Sequence, residues 1–310
     1  MLKIIVLGAA AGGGFPQWNC NCDVCRAARA GNGSAAVATQ SSLAVSADGE
    51  NWWLLNASPD VRQQINQTPT LHPRNGRRHS PIAGVLLTNA DVDHIAGLLT
   101  LRESQPLSLY ATERVLGVLE ANSVFNVLNP EFVKRRPVTL GATTELLLPD
   151  GRSSGLAAEI FAVPGKVALY LEDESAGPGF GSVAEDTVGV RIAVPAEGRE
   201  FYYIPGCAGC PPDLAARLDG SGLLFFDGTT WIDDEMQATG VGRKTGRRMG
   251  HMCMSGPKGS IAALSPLDIR RRIFVHINNT NPVHLTDSAE RAAAEAAGWE
   301  IGYDGMEVEA

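Results

Sequence analysis

The chain has 310 residues, 44% hydrophobic and 19% charged, which is ordinary globular composition and argues against long disorder. Its net charge of −8 excludes the basic face that nucleic acid or an anionic membrane would require. No apolar run is long enough to span a bilayer.

Residues 2–7 form a short apolar run, followed by the small residues at 8–14. That length suits a buried first strand turning tightly rather than a secretory leader, so a cytoplasmic protein is expected. Residues 39–46 and 52–55 read as strands, and Pro59 with Asp60 opens a helix over 61–67. Proline fits a first helical turn, and a carboxylate favours the N-terminal end of the dipole. The Arg-rich stretch 69–80 is a surface loop, and 82–88 is a buried strand running from Asn89 into a helix towards residue 103. A strand at 107–111 and a helix at 113–128 follow, then strands at 158–163, 188–194, 200–204, 223–226 and 273–277. The Gly-rich loop 174–187, which includes Pro178, is the most flexible internal stretch. Residues 286–297 form an Ala-rich helix with Asp287 and Glu290 in its first turn, and 299–310 a terminal strand pair. Without repeats or a linker, this order predicts a single α/β domain over 1–310. Two sheets flanked by helices fit it better than one doubly wound sheet.

Six cysteines in such a chain point to metal or free thiols rather than disulfides. Cys20, Cys22 and Cys25 fall within one Gly- and Asn-rich loop, where three thiolates can reach one Zn²⁺ ion or an iron–sulfur cluster. A fourth ligand from elsewhere would close the shell and make the ion structural. In Thr88-Asn89-Ala90-Asp91-Val92-Asp93-His94, a strand end offers Asp93 and His94 to an ion, against the plainer reading of a helix cap and a surface histidine. Asp227 and His276 each follow another apolar strand, and strand ends on one edge of a sheet converge. His251 lies in a loop that could present an acid, a base or a further ligand. Cys207-Ala208-Gly209-Cys210 lacks the strand–helix setting of a redox motif and reads as incidental. The basic runs 74–78 and 243–248 read as solvated loop charge, and the glycines at 12–14 lack the spacing and lysine of a phosphate loop.

Together these segments resemble the metallo-β-lactamase superfamily, whose hallmark is Thr-His-x-His-x-Asp-His followed by Ile-x-Gly-Leu. Leu87-Thr88 and Ile95-Ala96-Gly97-Leu98 match the flanks, and Asp93 and His94 the last two motif positions. Asn89 and Asp91 replace the leading histidines, and Lys166 stands where the middle histidine is expected. Asp227 matches the bridging carboxylate and His276 the last histidine. Over almost the whole chain the sequence also resembles the pyrroloquinoline quinone (PQQ) biosynthesis protein B family. The matching blocks include Gly12-Gly13-Gly14-Phe15-Pro16-Gln17-Trp18-Asn19-Cys20-Asn21-Cys22, Asn56-Ala57-Ser58-Pro59-Asp60, Asp227-Gly228-Thr229 and Met249-Gly250-His251. Cys207 stands where the family usually has leucine, and the insert at 177–181 departs from the usual length.

The resemblance implies a metallo-β-lactamase fold, a four-layer αββα sandwich. It also implies a cytoplasmic step in making the quinone, with an iron- and O₂-dependent hydroxylation of the tyrosine-derived ring of a Glu–Tyr precursor. Of the superfamily's two ion sites, the second is complete: Asp93, His94, Asp227 and His276. Two imidazoles plus carboxylates suit non-haem Fe(II). His251 is expected to accept the phenolic proton and Asp91 to act on the substrate. The three-Cys loop is expected to hold structural Zn²⁺, its fourth ligand being His276, His251 or Asn279. A phosphodiesterase-type hydrolase and a non-catalytic carrier of the quinone or its precursor are the alternatives. A homodimer and contacts with other enzymes of the pathway are left open.

Overall fold

The computed structural model describes every residue except Asn32 and Pro178, so that proline of the Gly-rich loop lies outside the described residues. The strands are β1 (Lys3–Gly8), β2 (Ser42–Ser46), β3 (Trp52–Leu55), β4 (Ile82–Leu86), β5 (Leu107–Ala111), β6 (Val133–Pro137) and β7 (Thr143–Leu147). They continue with β8 (Ser153–Ala162), β9 (Val188–Val194), β10 (Arg199–Ile204), β11 (Leu224–Asp227), β12 (Arg272–Val275), β13 (Trp299–Ile301) and β14 (Glu307–Glu309). Two seven-stranded sheets result, ordered β14-β1-β2-β3-β4-β5-β6 and β13-β12-β11-β10-β9-β8-β7.

Alternation along the strands creates the layers. Ile4 and Val6 of β1 point into the core between the sheets, where they join Val45, Trp53, Ile160, Val190, Phe201, Phe225 and Ile273. Ile5 and Leu7 point the other way, to a core under Val61, Leu98, Val115 and Leu119. On the far side, Phe226, Phe274 and Ile301 pack with Leu214, Leu264 and Ala294. The order is helices, sheet, sheet, helices, as the resemblance implied. Trp53 lies so close across β4 that a Cβ at Gly84 would sit 2.1 Å from its ring, which is why that strand carries glycine.

Three expectations change. The terminal strands do not pair with each other: β13 lies parallel to β12, whereas β14 runs antiparallel to β1 in the other sheet. The helix expected from Asn89 towards residue 103 shrinks to a turn at Val92–Ile95 and a 3₁₀ turn at Ala96–Leu99. The helix at the end of the chain, Ala289–Ala296, starts later than expected and is capped by Ser288, whose side chain accepts from Arg291 N. Among the described residues, no helix is long and apolar enough to cross a membrane.

Strands β3 to β5 run parallel in one sheet and β10 to β12 in the other. Ligands bind beyond the carboxyl ends of such strands, and there Asn56, Asn89, Asp227 and His276 all emerge.

Candidate metal centre

The end of β3 is latched to the end of β4. Asn56 takes a left-handed backbone (φ 65°), and its Oδ1 accepts from Thr88 N at 2.9 Å. The turn carrying His94 then docks on the next residues: Ala57 N donates to His94 O (2.8 Å) and Gly97 N to Ala57 O (2.9 Å). A Cβ at Gly97 would lie 2.1 Å from Ser58 O, so the glycine of the Ile-Ala-Gly-Leu stretch is what permits this approach.

The result is a compact donor set. Ligand atoms of Asp93, His94 and His276 lie within 4.8 Å of one another, and those of Asp227, His251 and His276 form a second such set. His94 Nδ1 meets Asn89 Oδ1 at 2.7 Å, and Asp91 N donates to the same oxygen at 3.0 Å, which fixes the amide's orientation. Because that oxygen only accepts, the His94 proton sits on Nδ1 and the lone pair on Nε2. Nε2 is buried without a hydrogen-bond partner, a defect of about 1–3 kcal/mol that a cation would remove. Burial pulls the His94 imidazole down to about 4, so it stays neutral. Burial pushes Asp93 up, but His94 and His276 outweigh it and hold the carboxyl below its ordinary range. His276 goes the other way: burial opposes its charge, yet the bond from Nε2 to Asp93 Oδ2 (3.1 Å) raises it. Its backbone is left-handed (φ 56°), a strained conformation for histidine that aims the ring from the end of β12.

Asp227 is a hub. Its Oδ1 accepts from Thr229 Oγ1 (2.6 Å) and Thr229 N (3.0 Å), and its Oδ2 from Cys207 N (2.8 Å) and His251 Nδ1 (2.6 Å). With the hydroxyl proton on Asp227, Thr229 Oγ1 presents lone pairs to His276 Nδ1 at 2.9 Å, which leaves His276 Nε2 for an ion. Asp227 thus joins the set through His276 and His251 rather than standing beside Asp93 and His94. Asp91 Oδ1 accepts from Leu169 N (3.2 Å), and burial followed by the charge of Asp93 pushes its carboxyl up.

The three thiols of the Cys loop also gather, their sulfurs within 4.8 Å of one another. Of the three candidates for a fourth ligand, only Asn279 stands here. Its carbonyl oxygen is 3.7 Å from Cys25 Sγ and 3.9 Å from Cys22 Sγ, while its Nδ2 donates to Cys25 Sγ at 3.3 Å. Burial raises the Cys22 thiol to about 12, with Cys20 and Cys25 adding to it. Burial opposes ionisation of Cys20 too, yet hydrogen bonds from Cys22, Cys25 and Asn279 bring it below its ordinary value. Neighbouring bonds favour ionisation of Cys20 while burial and its neighbours oppose that of Cys22, a conflict that a cation resolves.

Sequence reading missed three contributors: Asn89 as the partner of His94, the Thr229 hydroxyl and the Cys207 backbone N–H. Cys207 serves through its backbone, since burial holds its thiol up at about 12 and its Sγ donates to Gly209 O at 3.0 Å. Arg248 also departs from the expectation of solvated charge, because its guanidinium bonds both carboxylate oxygens of Glu172 at 3.0 and 2.8 Å.

This fold and donor set define a class, the metallo-β-lactamase superfamily, and a family profile described as Beta-lactamase superfamily domain matches residues 51–277. A structure described as a new diphosphatase from the PhnP family shares the fold at TM-score 0.69 and 19% identity, covering 100% of this chain and 98% of that one. The Zn²⁺-bound PqqB from Methylobacterium extorquens superposes with TM-score 0.93 at 53% identity, covering 99% of this chain and all of that one. Coenzyme PQQ synthesis protein B of Rhodopseudomonas palustris (strain BisB5) is 55% identical over 309 residues, 99% of each chain. That of Methylobacterium nodulans is 56% identical over 305 residues, 98% of this chain and 99% of its own. The chain belongs to the coenzyme PQQ synthesis protein B family.

Proposed function

We propose that this chain catalyses a cytoplasmic step of PQQ biosynthesis, the hydroxylation by Fe(II) and O₂ of the tyrosine-derived ring of a Glu–Tyr precursor. The observation that carries the reading is the buried, unpartnered His94 Nε2 beside Asp93 and His276, with Asp227 joined through His276. Two imidazoles and a carboxylate, with positions left open, form the donor set of mononuclear non-haem iron. At the positions of the superfamily's leading and middle histidines no nitrogen ligand is available: Asn89 is spent on His94, and Lys166 is paired with Glu172 at 3.0 Å. This supports a one-ion oxidation over two-ion hydrolysis.

Bound Fe(II) would supply the redox chemistry with O₂; the remaining work falls to side chains. His251 Nδ1–H donates to Asp227, so its Nε2 carries the lone pair and can accept the phenolic proton. Asp227 holds that tautomer as it also holds Thr229. The three-Cys loop with Asn279 would hold structural Zn²⁺.

The test is aerobic turnover of the precursor by Fe(II)-loaded protein with an external reductant, followed by mass spectrometry. One added oxygen atom is expected. His94→Ala should lose iron and product while keeping the Cys-bound zinc, and His251→Ala should keep both metals and slow turnover. Tight precursor binding without any oxygen added would replace the enzyme with a carrier, and phosphate release from a diester would replace it with a hydrolase.

A further inference from the structure

Between β8 and β9 the chain leaves the sheet, and the only helical structure there among the described residues is two 3₁₀ turns, Leu169–Leu171 and Glu174–Ala176. This segment crosses the Asp91 side of the centre: Leu169 N donates to Asp91 Oδ1 (3.2 Å) and Tyr170 Oη to Ala90 O (2.8 Å). It then delivers the Glu172 carboxylate into a pair of cations. Arg248 grips both oxygens in a fork at 3.0 and 2.8 Å, and Lys166 Nζ adds a contact at 3.0 Å. The Glu172 side chain is only 8% exposed. The Arg248 bonds, with Lys166 beside them, hold its carboxyl down to about 2.

Each cation of the clamp has its own further contacts. Arg248 lies in the helical turn Gly246–Met249, its N–H bonded by the capping Thr245 side chain, and its guanidinium stacks on Phe180, 3.9 Å from the ring centre. Lys166 lies against the residue before His251, since a Cβ on Gly250 would meet Lys166 Cγ at 3.0 Å. Just before Glu172, Leu169 and Tyr170 expose 55% and 44% of their surface, while Leu171 packs against the core under the first sheet. A preorganised guanidinium fork with an ammonium beside it matches a planar carboxylate.

We propose that Lys166 and Arg248 form a carboxylate-binding subsite of the active centre, which Glu172 occupies until a substrate carboxylate displaces it. The proposal rests on the function given above for where the reacting ring lies; the chemistry of the clamp stands on its own contacts. Exchange of one carboxylate for another conserves the ion pairs and releases Glu172 to water. The tethered Glu172 competes with the ligand and lowers its apparent affinity, so removing it should tighten binding.

The test is calorimetric titration of the metal-loaded protein with the dipeptide Glu–Tyr and with its fully amidated form. Glu172→Ala is expected to bind the dipeptide roughly 10-fold tighter than the parent, and adding Arg248→Ala should abolish that gain. The amidated dipeptide should respond to neither change. Should Glu172→Ala not fold, Glu172→Gln keeps the shape, removes the charge and should shift affinity the same way. Unchanged or weaker binding in these variants overturns the subsite and leaves a loop tie. Inorganic phosphate binding Glu172→Ala more tightly than the dipeptide overturns the choice of carboxylate. A binding gain without oxygenated product counts against the proposed function alone, while oxygenated product without a binding gain counts against the subsite alone.

Discussion

Asn89→Leu keeps the branched heavy-atom skeleton of a buried side chain and deletes the oxygen that accepts from His94 Nδ1 at 2.7 Å and Asp91 N at 3.0 Å. His94 is 1% exposed, so water cannot replace the lost partner. One orphaned buried donor costs about 1–3 kcal/mol, and metal-free protein should lose about that much in urea unfolding. The larger consequence concerns the ion. Without Asn89 the imidazole is free to change tautomer and rotate, and loss of such a partner typically costs 10–100-fold in metal affinity. Competition against a chromophoric chelator reads that loss directly. Asn89→Asp, which keeps an acceptor on Nδ1–H, should retain the parent's affinity. Asn89→Leu protein that binds its ion as tightly as the parent would refute the assignment of His94 Nε2 as a ligand.

Cys25→Ser should lose the loop-bound ion and melt at lower temperature while keeping metal at Asp93 and His94, as checked by metal analysis with differential scanning calorimetry; an unchanged zinc content would remove the loop from the metal count. Glu235, bonded to the Thr280 hydroxyl beside Asn279, gives a separate pH signature. Burial raises its carboxyl to about 7 from 4.5, so its stabilising contribution is complete below about pH 4.5 and fades as pH rises through 7. Glu235→Gln can still accept from Trp231 N and meet the Thr280 hydroxyl, so it should melt above the parent at pH 8 and match it near pH 4.5.

Much of this was legible from residues alone. Trp52–Leu55, Leu107–Ala111 and Val188–Val194 match their expected spans because apolar runs there are bounded by turn residues, and Val61–Gln67 does so because Pro59 and Asp60 mark its start. Strand β6 was not legible: Val-Lys-Arg-Arg-Pro has no alternation, and its charges and proline are those of a sheet edge. Nor can periodicity say which sheet a strand joins, hence the misplaced pairing of β13 and β14. At the centre, Asp93, His94, Asp227 and His276 stood out as ligand types at strand ends. Asn89 and Thr229 did not, since their roles depend on hydrogen bonds across the fold. Arg248 looked like one charge in a basic run until Glu172, distant in sequence, was found against it.

The pairing of β1 with β14 has a bearing on how the protein is made. Lys3 lies opposite Glu309, and Ala11 N donates to Ile277 O, so early-made segments are completed by segments made much later. While the chain is on the ribosome, β1 has β2 beside it but its other edge stays open, and the Cys loop lacks Asn279. Neither donor set exists until the last third of the chain has emerged. Until then, an open strand edge with three bare thiols is the form that must be protected.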